Sequence, residues 1–151
     1  MSLRPLLPAA LLAALALAAP GARAQAAADP VAAAASEPGA VLTPSGLVYR
    51  SLKDGDGPSP AATDRVGVHY RGTLADGTEF DSSYSRGQPA AFPLMGVIRC
   101  WTEGVQRMKV GGKAKLTCPP QLAYGTRGAG GVIPPNATLT FEIELLGIAG
   151  R

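Results

Sequence analysis

Leu139-Thr140-Phe141-Glu142-Ile143-Glu144-Leu145 alternates apolar and polar residues without a break. Successive side chains of a strand point to opposite faces, so this run has one apolar face and one wet face. Such a strand suits an antiparallel sheet covered on one side only. Working outward, the same period recurs. Ala114, Leu116 and Cys118 alternate with Lys113, Lys115 and Thr117. Val66, Val68 and Tyr70 alternate with Gly67, His69 and Arg71. Leu47-Val48-Tyr49-Arg50 is a shorter run, closed by the turn-rich Lys53-Asp54-Gly55-Asp56-Gly57-Pro58. Ala75-Asp76-Gly77 signals a turn before Thr78-Glu79-Phe80. Only Trp101, Val105 and Met108 show helical spacing, and Gly111-Gly112 should stop that helix. The pattern predicts an α+β domain: an antiparallel sheet with one short helix across its apolar face.

The beginning of the chain has a different texture. Arg4 precedes an apolar Leu/Ala stretch from Leu6 to Ala19. Pro20-Gly21 breaks it, and Ala22-Arg23-Ala24 fits the small-x-small cleavage rule. The stretch is too short to span a bilayer comfortably, so 1–24 reads as a signal peptide and not a membrane anchor. No cysteine lies near the cleavage site to carry a lipid. Residues 25–42 are Ala-rich with scattered Pro, Ser and acids, and read as a flexible tether. The folded domain is therefore expected over 43–151, in a protein expected to be exported to the periplasm. The net charge is +3 over 151 residues. Setting aside Arg4 and Arg23 takes Lys+Arg from 14 to 12 against 11 acids, a balance that does not call for nucleic acid.

The common catalytic kits are absent from the sequence. His69, the single histidine, falls on the polar parity of its strand and reads as a solvated or rim residue. Gly111-Gly112-Lys113-Ala114 is not a phosphate-binding loop, since Arg107 and Ala114 replace the required glycine and hydroxyl residue. Two cysteines and one histidine do not compose a zinc site, and no cofactor is expected. Cys100 and Cys118 are an even count in an exported chain, which suggests a disulfide worth on the order of 3 kcal/mol. Two buried free thiols acting as small hydrophobes are the alternative. No Cys-x-x-Cys spacing supports redox catalysis.

Several motifs point to one family. Val68-His69-Tyr70-Arg71-Gly72-Thr73-Leu74-Ala75-Asp76-Gly77 is followed by Phe80-Asp81-Ser82-Ser83. Then come Val97-Ile98, Trp101-Thr102-Glu103-Gly104, Met108-Lys109-Val110-Gly111 and Leu122-Ala123-Tyr124-Gly125. Gly131-Val132-Ile133-Pro134-Pro135-Asn136-Ala137-Thr138 leads into the opening strand. In this order and spacing, from about Thr43 to the end, the chain resembles the FKBP-type peptidyl-prolyl cis-trans isomerases. Within them it is similar to exported bacterial members of the FkpA and macrophage infectivity potentiator group.

The resemblance implies a half-barrel sheet wrapped around the helix, with a pocket between them. It assigns the pocket to Tyr70, Phe80, Asp81, Val97, Ile98, Trp101, Tyr124, Ile133 and Phe141. Trp101 is its expected floor, and Tyr70, Phe80 and Phe141 its walls. The Ile98 N–H and the Tyr124 hydroxyl would hold substrate carbonyls. Phe80, Asp81 and Tyr124 would act on the twisting bond, and Arg86 would pair with Asp81. Ala90 stands where many members carry an aromatic wall residue, so one wall is expected to be thin. Cys100, before the tryptophan, fits a subgroup with a helix-to-sheet disulfide. The implied partners are proline-containing polypeptides and macrolide inhibitors; the related exported members carry a helical dimerisation domain for which this chain has no room, so a monomer is expected. A non-catalytic binding module or folding chaperone on the same fold is the alternative.

Overall fold

The structure, a computed structural model, describes residues 29–150. The leader expected over 1–24 lies outside these residues. Among those described, β1 (Ala40–Leu42), β2 (Val48–Lys53), β3 (Arg65–Leu74), β4 (Glu79–Ser82), β5 (Ala90–Pro93), β6 (Lys113–Cys118) and β7 (Leu139–Ile148) form one sheet. All pairings are antiparallel, in the order β1-β2-β6-β7-β3-β4. β5 also pairs with β3. β7 takes one edge of β3, so β4 and β5 share the other: β5 covers Arg65–Val68 and β4 covers Arg71–Thr73.

The alternations decide which face is the core. Leu139, Phe141, Ile143 and Leu145 are buried, as are Val66, Val68 and Tyr70 and Ala114, Leu116 and Cys118. Their polar neighbours face the other way. α3 (Arg99–Gln106) lies against this apolar face and buries Cys100, Trp101, Gly104 and Val105. Met108, one turn on, is buried beyond the helix end. The helix stops at Gln106, before the expected glycine pair. Its last turn closes through Arg107 N–H to Gly104 O and Met108 N–H to Val105 O. Gly111 then takes the left-handed φ of 91° that turns the chain into β6. α3 starts without a side-chain cap at Ile98. Instead the Thr102 hydroxyl donates to Leu94 O at 2.6 Å, tying the first turn to the 3-10 turn at Leu94–Gly96.

Two further short helices supplement the expected one. α2 (Ser83–Arg86) is capped by the Ser82 hydroxyl, which accepts from the Ser85 N–H, and it ends at Gly87 with φ 74°. α1 (Pro30–Ala35) falls within residues 25–42, read from composition as a tether. Residues 30–42 carry this helix and β1 rather than irregular chain. Asp29 caps α1 by accepting from the Val31 N–H. After the helix, Glu37 receives Lys115 of β6 at 2.7 Å and Arg50 of β2 at 2.9 Å. The segment is thus held by pairing to distant residues, which its own composition does not announce.

Glu37 gives a pH-dependent contribution. The hydrogen bond from Lys115 holds its carboxyl below the ordinary range; burial opposes this, and the bond and charge of Arg50 reinforce it. A lowered folded pKa makes the contribution complete above the ordinary carboxylate range and lost as pH falls through the lowered value. The pair is part-exposed, so Glu37→Gln should cost about 0.5–1 kcal/mol at pH 7. Thermal unfolding of both proteins across the acid range should show that gap closing as pH falls. A constant gap would assign the loss to packing.

Candidate active site

The sheet's concave face and α3 leave a cavity of about 470 Å³. Tyr70, Phe80, Asp81, Val97, Ile98, Trp101, Tyr124 and Phe141 line it, together with Phe92 and Gly96. The elements explain the convergence. Tyr70 and Phe141 project from the core parity of β3 and β7, Phe80 and Asp81 from β4, and Trp101 from the first turn of α3. Trp101 is only 4% exposed. It meets Tyr70, Phe92 and Phe141 edge-to-face at 5.1, 5.5 and 5.3 Å. Phe80 stands perpendicular to Phe141 at 5.6 Å. Edge-to-face packing fixes each ring against the next, so the pocket is formed before any ligand arrives. The Trp101 indole N–H is buried and has no hydrogen-bond partner among the described residues.

Gly72 of β3 is required by this arrangement. A Cβ there would sit 2.5 Å from the Phe80 ring and 2.9 Å from the Phe141 ring. The two rings close over a strand that has no side chain at that point.

A polar triangle borders the apolar walls. The Tyr70 hydroxyl donates to Asp81 Oδ2 at 2.5 Å, and Arg86 Nη1 donates to Asp81 Oδ1 at 2.5 Å. Arg86 Nη2 also donates to the Tyr70 hydroxyl at 2.9 Å, and its guanidinium lies 5.6 Å from the Tyr70 ring centre. Burial works against the Asp81 charge, but the bonds from Tyr70 and Arg86 and the Arg86 charge hold its carboxyl below the ordinary range. Burial pushes the Tyr70 hydroxyl up, and its bond to Asp81 adds to that. At neutral pH the group is therefore a carboxylate held by two donors. Ser83 anchors it from behind: its hydroxyl accepts from the Tyr70 N–H at 2.7 Å and sits 2.8 Å from His69 Nδ1. His69 stacks on Tyr84 at 4.7 Å, outside the cavity.

Three placements differ from expectation. Ile133 is buried but does not line the cavity; its backbone bridges to Ala129 within the loop after Tyr124, and its side chain joins the core. Phe92 was not anticipated. It lies two residues after Ala90, on the same parity of β5, and supplies an aromatic wall where a thin one was expected. Gly96 adds backbone surface. Tyr124 stands at the rim, 42% exposed. Beneath the floor, Cys100 of α3 and Cys118 of β6 are both fully buried, with their sulfurs at bonding distance and Cα atoms 5.7 Å apart.

An open aromatic cavity with one fixed carboxylate contains no nucleophile–base pair. It can bind an apolar ring and orient nearby carbonyls. The chain is similar to proteins of known sequence and structure. The FKBP-type peptidyl-prolyl cis-trans isomerase domain signature matches residues 57–146. The FKBP-type 22 kDa peptidyl-prolyl cis-trans isomerase of Escherichia coli is 56% identical over 114 residues, covering 76% of this chain and 55% of that protein. FK506-binding protein 1 of Dictyostelium discoideum is 54% identical over 103 residues, covering 67% of this chain and 96% of its own length. The crystal structure of FkpA from Escherichia coli superposes with a TM-score of 0.76 at 50% identity, covering 78% of this chain and 55% of that one. The chain spans about half the length of the bacterial curated relatives it matches. Signature, sequence and fold agree, and the chain belongs to the FKBP-type peptidyl-prolyl cis-trans isomerase family.

Proposed function

We propose that this protein is a peptidyl-prolyl cis-trans isomerase acting on proline-containing polypeptides in the periplasm after removal of its leader. The observation that carries the reading is the preformed aromatic cavity bordered by the held Asp81 carboxylate. Rotation about an X–Pro bond faces a barrier of about 18–20 kcal/mol, because the amide loses its conjugation. The twisted amide has less charge separation than the planar one. A dry aromatic site therefore favours it relative to the ground state, which is differential binding. In this reading the proline ring packs on Trp101 between Tyr70, Phe80, Phe92 and Phe141. The Ile98 N–H and the Tyr124 hydroxyl hold flanking carbonyls, and Asp81 biases the field at the rotating bond. No proton changes hands. A macrolide that fills the same cavity would compete with the peptide. The chain works as a monomer.

Proline-limited refolding of a reporter protein tests the assignment. Phe80→Ala should lower kcat/KM by about tenfold or more, each tenfold being 1.36 kcal/mol of transition-state stabilisation. Asp81→Asn keeps the shape and removes the charge, so its loss should be smaller and expressed in kcat. Unchanged rates in both variants would remove these residues from the mechanism. Met95 and Val132, 72% and 55% exposed, give apolar surface for a chaperone-like use of the same domain. Aggregation suppression that survives a macrolide block would support that second reading.

The Cys100–Cys118 pair is oxidised in this compartment. It fastens α3, which carries the floor, to β6. Cys100→Ser/Cys118→Ser should lower stability by about 2–3 kcal/mol. Denaturant unfolding with and without reductant checks this; equal midpoints for wild type and variant under oxidising conditions would remove the bridge from the stability of the domain.

Among the described residues no helix is long and apolar enough to cross a membrane.

A further inference from the structure

We propose a second ligand site, for a phosphoryl group, in the polar cavity at the C-terminal end of α3. This cavity measures about 220 Å³ and shares no lining residue with the aromatic one. Four cations line it: Lys53 from β2, Arg107 and Lys109 from the turn after α3, and Lys113 from β6. The one acid beside them, Asp54, already accepts a hydrogen bond from the Ser51 hydroxyl at 2.5 Å. The formal balance of the cavity is thus strongly positive.

Among the described residues none of these four cations takes part in an ion pair, whereas Arg50, Arg71, Arg86 and Lys115 all do. Lys53 and Lys113 are also register partners across β2 and β6, past the bulge after Ser51. Like charges directly opposite on a sheet repel and cost stability. The other register partner of Lys113 is Glu144 of β7, which is not at ion-pair distance and instead accepts from the Tyr84 hydroxyl at 3.1 Å. The negative end of the α3 dipole accounts for cations at Arg107 and Lys109. It does not account for Lys53 and Lys113, which reach the same cavity from the sheet.

The shape selects the ligand class. The cavity is too small for a folded segment of another protein and suits a compact anion with more than one charge. A phosphate monoester carries nearly two negative charges and three acceptor oxygens. Lysines and an arginine supply the matching donors. Tyr49 also lines the cavity; burial and the nearby Asp54 push its pKa up against the opposing Arg107, so its hydroxyl stays protonated. A soluble phosphate ester and a phospholipid headgroup present the same group.

Titration of the intact protein with glycerol 3-phosphate, followed through backbone amide NMR shifts, tests the site. Saturable shifts should cluster in Ser51–Gly55 and Arg107–Lys113 and spare the aromatic cavity. The Lys109→Gln/Lys113→Gln variant should bind at least about tenfold more weakly while its isomerase activity is unchanged. Lys109→Gln alone, at an exposed position, keeps the test usable if the double variant unfolds. Cosedimentation with phosphatidylglycerol vesicles that glycerol 3-phosphate competes away would assign a lipid headgroup. Glycerol 3-phosphate binding without vesicle binding would assign a soluble ester. Shifts spread over every surface lysine, equal shifts from chloride at matched ionic strength, or unchanged affinity in the variants would each overturn the proposal.

Discussion

Trp101→Ala should lower the stability of the domain by about 3–5 kcal/mol, the usual range for removing a large aromatic from a core. The indole touches three rings edge-to-face and is almost wholly buried. Its removal leaves Tyr70, Phe92 and Phe141 without the ring that sets their angles. Part of the loss is offset because the buried, unpartnered indole N–H disappears with it; an unmet donor of this kind costs about 1–3 kcal/mol. Trp101→Phe should therefore be far milder than the alanine variant. Activity should separate the two roles of the residue. Under conditions where both variants are folded, refolding catalysis by the alanine variant should fall by more than tenfold, and by the phenylalanine variant by less. Equal activity in wild type and the folded alanine variant would show that the floor contributes structure alone.

Gly104→Val should cost about 3 kcal/mol or more, at or beyond the upper end of ordinary overpacking. Helix propensity argues the other way, since glycine in a helix interior is about 1 kcal/mol worse than alanine. The decisive fact is the approach of α3 to the sheet. A Cβ at position 104 would lie 2.2 Å from Leu116 Cδ2 and 2.9 Å from its Cγ. Leu116 is fully buried, so it cannot turn away into solvent. The helix would have to rise, lifting Trp101 off its partners. Leu116→Ala should relieve the clash, so the double variant Gly104→Val/Leu116→Ala should be more stable than the two single losses predict. Coupling of about 1 kcal/mol or more in denaturant unfolding would demonstrate the contact. Strict additivity would refute it.

The legible parts of the molecule are those where one local pattern and the tertiary structure agree. β3, β6 and β7 were readable because burial on one face forces a period of two, and that period survives in Val66 to Tyr70, Ala114 to Cys118 and Leu139 to Leu145. Trp101 and Val105 announced α3 in the same way. The unreadable parts owe their structure to partners far along the chain. α1 consists of proline, valine and alanine with no apolar stripe, and the charges that hold its segment, Arg50 and Lys115, lie outside it. β5 is Ala-Ala-Phe-Pro, too short for a period and closed by a proline that an edge strand tolerates. Phe92 was hidden for that reason: one aromatic among alanines and prolines signals nothing until β3 supplies its register. The site was legible mainly through family motifs. Those motifs also carried Ile133 into the pocket, although its loop turns that side chain into the core.

The order of the sheet has a consequence for how the protein is born. β7 lies between β6 and β3 and joins the two halves of the sheet, yet it follows the other six strands along the chain. Until residues 139–148 emerge, β1, β2 and β6 on one side have no bridge to β3, β4 and β5 on the other. Without β7 the emerging chain therefore cannot close its core. Its two half-sheets stay separate until β7 is made, and β7 then supplies both joining ladders in one step. A chain lacking those last residues would be an unfinished sheet with two open edges, and not a slightly shorter domain.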